Sequence, residues 1–274
     1  MTNYGTVLQA PAKLTLRLKI TGVQPDGYHL LDAEMITVSL ADELHVSEGD
    51  GLEIVRHPSA GAGAPIVAGD NNLVRRALAL AGRKANVRLE KRIPAGAGLG
   101  GGSADAAAIL RWAGWSDMHA AGKLGADVPF CVIGGRARVG GIGEVLEPLD
   151  FGPVAGAEYT LLTPPFGVST PAVYKAWDRL HPDAADRGET VRRGETVRRG
   201  ETAGRGKTVG GGEAVNDLEA PALLVEPRLA HWRERLGDAT GETPVLAGSG
   251  STWFVSGAHD VPGGIVVRAV GKLG

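Results

Sequence analysis

The segment Pro94-Ala-Gly-Ala-Gly-Leu-Gly-Gly-Gly-Ser-Ala-Asp105 concentrates residue types that hold phosphate. Successive glycines carry no Cβ, so backbone N–H groups can converge on one anion. An Ala-rich run follows. The start of the helix it predicts adds free N–H groups and the positive end of a dipole. Ser103, at that start, can cap the helix, donate to a phosphate oxygen or help hold Mg2+. A Walker A loop has Lys directly after its last glycine, and no Lys follows Gly102. Gly96, Gly98 and Gly101 meet the dinucleotide spacing G-x-G-x-x-G. The preceding strand, however, carries Arg88, Glu90 and Arg92, where a dinucleotide-binding strand is nearly all apolar. The third reading is a kinase-type phosphate loop without its own Lys.

The elements around this loop follow from periodicity. Over 7–20, Leu14, Leu16, Leu18 and Ile20 alternate with Thr15, Arg17 and Lys19, which predicts a half-buried strand. Gln24-Pro-Asp-Gly27 is a turn, and 28–47 reads as one or two further strands. Residues 57–71 read as a loop. Asn72 caps a helix over 73–83. A strand over 86–93 has Val87, Leu89 and Ile93 on one face, interrupted by Lys91. The glycine loop leads to a helix from Ser103 to Ala113, and Ser116 caps a further short one. Phe130–Ile133 and Gly143–Leu149 read as strands. A boundary near Phe151-Gly-Pro153 divides the chain into 1–152 and 153–274. Beyond it come a strand at Glu158–Leu162, a helix at Pro171–Leu180 and helical sequence over 218–236. Strands at Val245–Ala247 and Trp253–Ser256 flank a second glycine turn, and Gly264–Val270 is the last strand. Strands and helices mix without a βαβα order, which predicts α+β.

Composition excludes several classes. With Lys+Arg at 29 against Asp+Glu at 31, the net charge of −2 argues against nucleic acid as a partner. A single Cys, Cys131, excludes an intrachain disulfide, and seven scattered His give no zinc spacing. No basic-then-apolar leader and no long apolar run are present, so the reading is a soluble, cytoplasmic protein without a membrane partner. Residues 187–192 and 193–198 both read RGETVR, and variants of that hexapeptide continue to 210. Each unit offers one Val or Ala among charges and glycines, too little to stack as a β-helix. The stretch at about 187–212 reads as a low-complexity surface insertion.

The loop PAGAGLGGGSADAA resembles the ATP loop of the GHMP kinases, the superfamily of galactokinase, homoserine kinase, mevalonate kinase and phosphomevalonate kinase. Ala10-Pro-Ala-Lys13 with Leu16 and Leu18 resembles that family's first strand. Pro25-Asp-Gly-Tyr-His29 and Leu124-Gly-Ala-Asp-Val-Pro129 resemble the signatures of its members that act on 4-diphosphocytidyl-2-C-methyl-D-erythritol, in the non-mevalonate route to isoprenoids. Asn216-Asp-Leu-Glu219 and Gly248-Ser-Gly-Ser251 fall where their C-terminal domain has such segments.

The resemblance implies a two-domain fold with the active site in the cleft. The N-terminal domain would be ribosomal-protein-S5-domain-2-like and the C-terminal domain ferredoxin-like. It implies ATP as phosphate donor, Mg2+ as its counter-ion, and a monomer or weak homodimer. Lys13 and Asp127 match the catalytic pair. Asp127 would take the proton of the substrate's 2-hydroxyl, with Lys13 as its electrostatic partner. Pro94, Ala95, Gly96, Ala97, Gly98, Leu99, Gly100, Gly101, Gly102, Ser103 and Ala104 would cradle the ATP phosphates. Tyr28, His29 and Tyr174 match positions around the cytosine, and Thr15 stands where the family commonly has a substrate-contacting Asn. The segment from Ser103 to Asp127 is shorter than the family's, and a helix missing there would weaken the cleft wall. Two alternatives stay open: another GHMP small-molecule kinase of homoserine or mevalonate type, and a nucleotide-binding homologue without turnover.

Overall fold

The most strongly alternating stretches form the longest elements. In the computed structural model, which describes residues 5–60, 67–184 and 215–273, β1 (Thr6–Val23) and β2 (His29–Ser47) pair antiparallel along nearly their whole length. They meet at the turn closed by Gly27 N–H donating to the Gln24 carbonyl at 2.8 Å. So 28–47 is one strand. The hexapeptide repeat and the insertion at about 187–212 lie outside the described residues, as does part of the loop at 57–71. β3 (Gly51–Arg56), α1 (Leu73–Leu80) and β4 (Asn86–Lys91) follow. Then come α2 (Gly101–Trp112), α3 (Met118–Gly122), α4 (Val128–Ile133), β5 (Arg136–Gly140) and β6 (Val145–Pro148). The C-terminal part comprises β7 (Glu158–Leu162), α5 (Thr170–Leu180), α6 (Glu219–Val225), α7 (Leu229–Thr240), β8 (Val245–Leu246), β9 (Trp253–Ser256) and β10 (Gly264–Val270).

The strands form one mixed sheet in the order β3-β4-β2-β10-β7-β9-β8, with β1 and β5 also on β2 and β6 on β5. β2 is the spine. One edge takes β1; the other takes β4 at 43–47, β10 at 37–38 and β5 at 33–36. The short β10 contact joins the N-terminal strands to the antiparallel group β10-β7-β9-β8. This is an α+β fold, as the mixed element order requires.

Three local expectations are corrected. Phe130–Ile133 belongs to α4, not to a strand. A four-residue apolar run does not distinguish the two, and here Pro129 in the first turn favours helix. Asp127 occupies the N-cap position. The helix read from Ser103 begins at Gly101 behind Gly100, which adopts φ 69°. The short helix read from Ser116 is capped by Asp117, whose Oδ1 accepts from Ala120 N at 2.9 Å. That helix, α3, lies within the 103–127 segment and packs on α4.

α2 shows why the sequence after the loop is Ala-rich. Ala104, Ala106, Ala107 and Ala108 are all buried where α1, α4 and β1 close around the helix. Small side chains let those backbones approach and hold the helix start still.

Candidate functional site

A cavity of about 900 Å3 opens between the glycine loop, the first two strands and α5. The chain is irregular where β1 enters it. The β1–β2 register shifts between Pro11 and Lys13 and again between Thr15 and Arg17. Such shifts re-aim side chains, and between them stand Lys13 and Thr15, on either side of Leu14. Both are buried, at 5% and 1% exposure. Lys13 Nζ donates to Thr15 Oγ1 at 3.1 Å and lies 3.5 Å from Asp127 Oδ2. The Asp127 carboxylate makes no cap bond to α4, which leaves it turned to Lys13 and the cavity. The structure thus brings Lys13, Thr15 and Asp127 into one cluster.

Gly100 makes that cluster possible. A Cβ there would stand 2.8 Å from Lys13 Cγ, and its φ of 69° disfavours any side chain. Lys13 N–H donates to Leu99 O at 3.0 Å, which ties the loop to β1. The first intrahelical bond of α2 is Ala104 N to Gly100 O, at 2.8 Å. The N–H groups of Gly101, Gly102 and Ser103 therefore have no acceptor within the helix. They open on the cavity that residues 93–103 line, a geometry suited to a polyphosphate. The Ser103 hydroxyl is at the same helix start, packed near Gly125.

The loop is held from behind by the C-terminal part. Ala97 O accepts from Thr252 N at 3.1 Å, and Gly96 O from Val168 N at 3.4 Å. Gly98 and Gly250 touch backbone to backbone: a Cβ on Gly98 would lie 2.8 Å from Gly250 Cα. Asn216 braces the second glycine turn, donating to Leu246 O at 2.9 Å and Gly248 O at 2.7 Å. We expect Gly250→Ala to raise the KM for nucleotide about ten-fold by forcing the two loops apart, an overpacking cost of about 1–3 kcal/mol. Initial-rate kinetics together with a melting curve check this. A variant that melts early but binds nucleotide normally would show that the contact is only structural.

At the other end of the cavity His29 is pinned. Its Nε2 lies 2.6 Å from Asp178 Oδ1, and its ring packs on Tyr174 (4.8 Å between centroids) and on Trp177 (5.2 Å, edge-on). Tyr28 stands on the rim, 59% exposed. Burial, and then the nearby Asp127 carboxylate, push the Tyr174 hydroxyl above its ordinary pKa. Thr170 Oγ1 and Ser249 Oγ, 2.9 Å apart, link α5 to the second glycine turn.

One cluster was not foreseen. Lys91, which interrupts the apolar face of β4 in sequence, points inward between Asp42 and Asp105. All three are buried. Lys91 Nζ contacts Asp42 Oδ2 directly and Asp105 Oδ2 at 2.6 Å. It also underlies the loop, 3.2 Å from where a Cβ on Gly101 would be. Asp42 accepts two further bonds, from Arg92 N and from Ile93 N, whereas Asp105 Oδ1 has no partner among the described residues. Burial raises the Asp105 pKa to about 7, against the pull of Lys91 and with the help of the Asp42 charge. Burial alone lowers the Lys91 pKa, but the two carboxylates outweigh it and hold it above its ordinary value. The signal in sequence was the lysine itself, charged at an inward position of a strand.

Glu43, His45 and Glu90 also lie close together, on partly exposed positions of β2 and β4; Arg92 pairs with both glutamates. Among the described residues no helix is long and apolar enough to cross a membrane.

Comparison with known proteins places these features in context. Residues 72–135 match the GHMP kinases N terminal domain. The chain is 35% identical over 269 residues to a 4-diphosphocytidyl-2-C-methyl-D-erythritol kinase of Cereibacter sphaeroides (strain ATCC 17025 / ATH 2.4.3), covering 95% of this chain and 92% of that one. It is 37% identical over 253 residues to a protein of the same name from Paracoccus denitrificans (strain Pd 1222), covering 89% and 84%. A crystal structure of 4-(cytidine 5'-diphospho)-2C-methyl-D-erythritol kinase superposes with a TM-score of 0.65 at 31% identity, over 91% of this chain and 89% of that one.

Proposed function

As the chain belongs to the 4-diphosphocytidyl-2-C-methyl-D-erythritol kinase family of GHMP kinases, we propose that its cavity carries out that phosphoryl transfer with Asp127 as general base and Lys13 as its electrostatic partner. It is an ATP-dependent small-molecule kinase acting in the isoprenoid precursor route of its relatives, and its acceptor is the 2-hydroxyl of 4-diphosphocytidyl-2-C-methyl-D-erythritol. The observation that carries the residue roles is the Lys13–Asp127 pair, 3.5 Å apart, beside a helix start lined by glycine N–H groups.

The geometry supports these roles. The N–H groups at the α2 start and the loop 94–104 take the ATP phosphates. Asp127 accepts the hydroxyl proton and aligns the oxygen on the γ-phosphorus. Lys13, held by Thr15, neutralises charge on both sides of the transfer. Thr15 acts through Lys13, so its contact with substrate in place of an Asn is secondary. The Ser103 hydroxyl, at the helix start and open to the cavity, fits as an oxygen ligand for Mg2+ alongside phosphate oxygens. When bound, the ion neutralises charge developing on the transferred phosphoryl group. The division at 151–153 into two domains belongs to the same proposal, with the cavity between them.

His29, Tyr28 and Tyr174 form the base subsite. Stacking on an aromatic is worth about 1–3 kcal/mol per base. Tyr28→Ala is therefore expected to raise the KM for the cytidylyl substrate about ten-fold or more, leaving the KM for ATP unchanged. Because Tyr28 is 59% exposed, the melting temperature should hold. Steady-state kinetics and a thermal scan decide; equal effects on both substrates would remove Tyr28 from the subsite.

The function is tested by ADP release from ATP and Mg2+ with 4-diphosphocytidyl-2-C-methyl-D-erythritol, homoserine and mevalonate in parallel. Turnover is expected with the first alone. Turnover with homoserine or mevalonate instead, or nucleotide binding with no turnover on any acceptor, would overturn the assignment.

A further inference from the structure

Building on that reading, we propose that Lys175 binds the diphosphate of the cytidylyl substrate and sets the preference for a nucleoside diphosphate over a bare nucleoside. The charge inventory of the cavity leads to it. Three lysines line the cavity: Lys13, Lys91 and Lys175. Lys13 faces Asp127, and Lys91 is clamped between Asp42 and Asp105. Lys175 is exposed and makes no hydrogen bond or ion pair with any described residue. It is the cavity's one lysine whose charge no carboxylate of the described residues offsets.

Its orientation follows from the helix. Thr170, Pro171, Tyr174, Lys175 and Asp178 of α5 line the cavity, while Val173, Ala176 and Trp177 are buried in the core. Spacings of four, five and eight residues put the first group on one face. Asp178, three residues on, is the natural helical partner of Lys175. Its carboxylate is instead taken by His29 at 2.6 Å. The contact that fixes the base subsite therefore leaves the neighbouring ammonium uncompensated. A base stacked at Tyr174 places its attached phosphates within reach of the next side chain, a point charge on a flexible four-carbon stem.

The test is calorimetric binding of CDP and of cytidine to the full-length protein, wild type against Lys175→Gln and Lys175→Arg. Loss of one charged hydrogen bond predicts that Lys175→Gln weakens CDP about ten-fold, leaves cytidine unchanged, and that Lys175→Arg restores most of the CDP affinity. In turnover, Lys175→Gln should raise the KM for the cytidylyl substrate alone, with kcat and the KM for ATP unchanged. Equal affinity of wild type and Lys175→Gln for CDP, or parallel weakening of CDP and cytidine, would overturn the proposal. The binding measurement does not require turnover, so it can fail while the kinase assignment stands, and the assignment can fail while it succeeds.

Discussion

Asp127→Asn is expected to lower kcat by about a thousand-fold or more and to leave the KM for both substrates within a few-fold of wild type, the signature of a lost general base. Asn keeps the volume and one acceptor oxygen of the carboxylate, and removes its negative charge and its ability to accept a proton. The structure makes the substitution clean. Asp127 stands at the N-cap of α4, but its side chain makes no cap bond, so the helix loses nothing when it is replaced. Asn is as good an N-cap as Asp. Pre-steady-state and steady-state kinetics measure the effect, and an unchanged melting temperature confirms that folding is untouched. A loss smaller than about ten-fold would mean that positioning and charge neutralisation carry the reaction without a base. Lys13 would then be the residue on which turnover depends.

Lys91→Met is expected to cost about 3–5 kcal/mol of folding stability, the range for removing one partner of a buried ion pair. Lys91 and Asp42 have side-chain exposures of 4% and 0%. Without the ammonium, two carboxylates face each other beneath the glycine loop, with Asp105 Oδ1 already without a partner among the described residues. The same cluster gives the protein a pH dependence. The Asp105 pKa is raised to about 7 from the ordinary carboxylate value, so the folded state binds its proton more tightly than the unfolded chain. The stability this contributes is fully present below the ordinary value and is lost as pH rises through about 7. Wild type should therefore be more resistant to urea at about pH 5 than at about pH 8, and Asp105→Asn should flatten that difference. Urea midpoints at the two pH values for wild type, Lys91→Met and Asp105→Asn provide the check. If Lys91→Met is as stable as wild type, the buried cluster is not what holds the loop to the sheet.

Much of the fold was legible because it depends on neighbours in sequence. The alternation around Leu14–Ile20 gave β1, and Asn72 marked the start of α1, where it accepts from Val74 N at 2.9 Å. The glycine loop and the order of Lys13, Tyr28-His29, Ser103 and Asp127 pointed to one cavity, and the structure places all of them along it. What stayed hidden depends on residues far apart in the chain. Lys91 looked like a defect in a strand because its partner Asp42 is 49 residues away. The contact between His29 and Asp178 spans 149 residues, and without it nothing singles out Lys175. Phe130–Ile133 reads as a strand in sequence because four apolar residues have no period, whereas the helix is set by Pro129 and by packing against α2.

The chain places a phosphoryl group on the 2-hydroxyl of its cytidylyl substrate. Phosphorus NMR of the product formed from ATP, Mg2+ and 4-diphosphocytidyl-2-C-methyl-D-erythritol tests it most directly. One new phosphomonoester signal is expected, in proportion to the ADP released, on a product that keeps its diphosphate resonances; over the same reaction time Asp127→Asn should give almost none. ADP release without that signal, or a phosphoester formed equally well by the Asp127 variant, would contradict it.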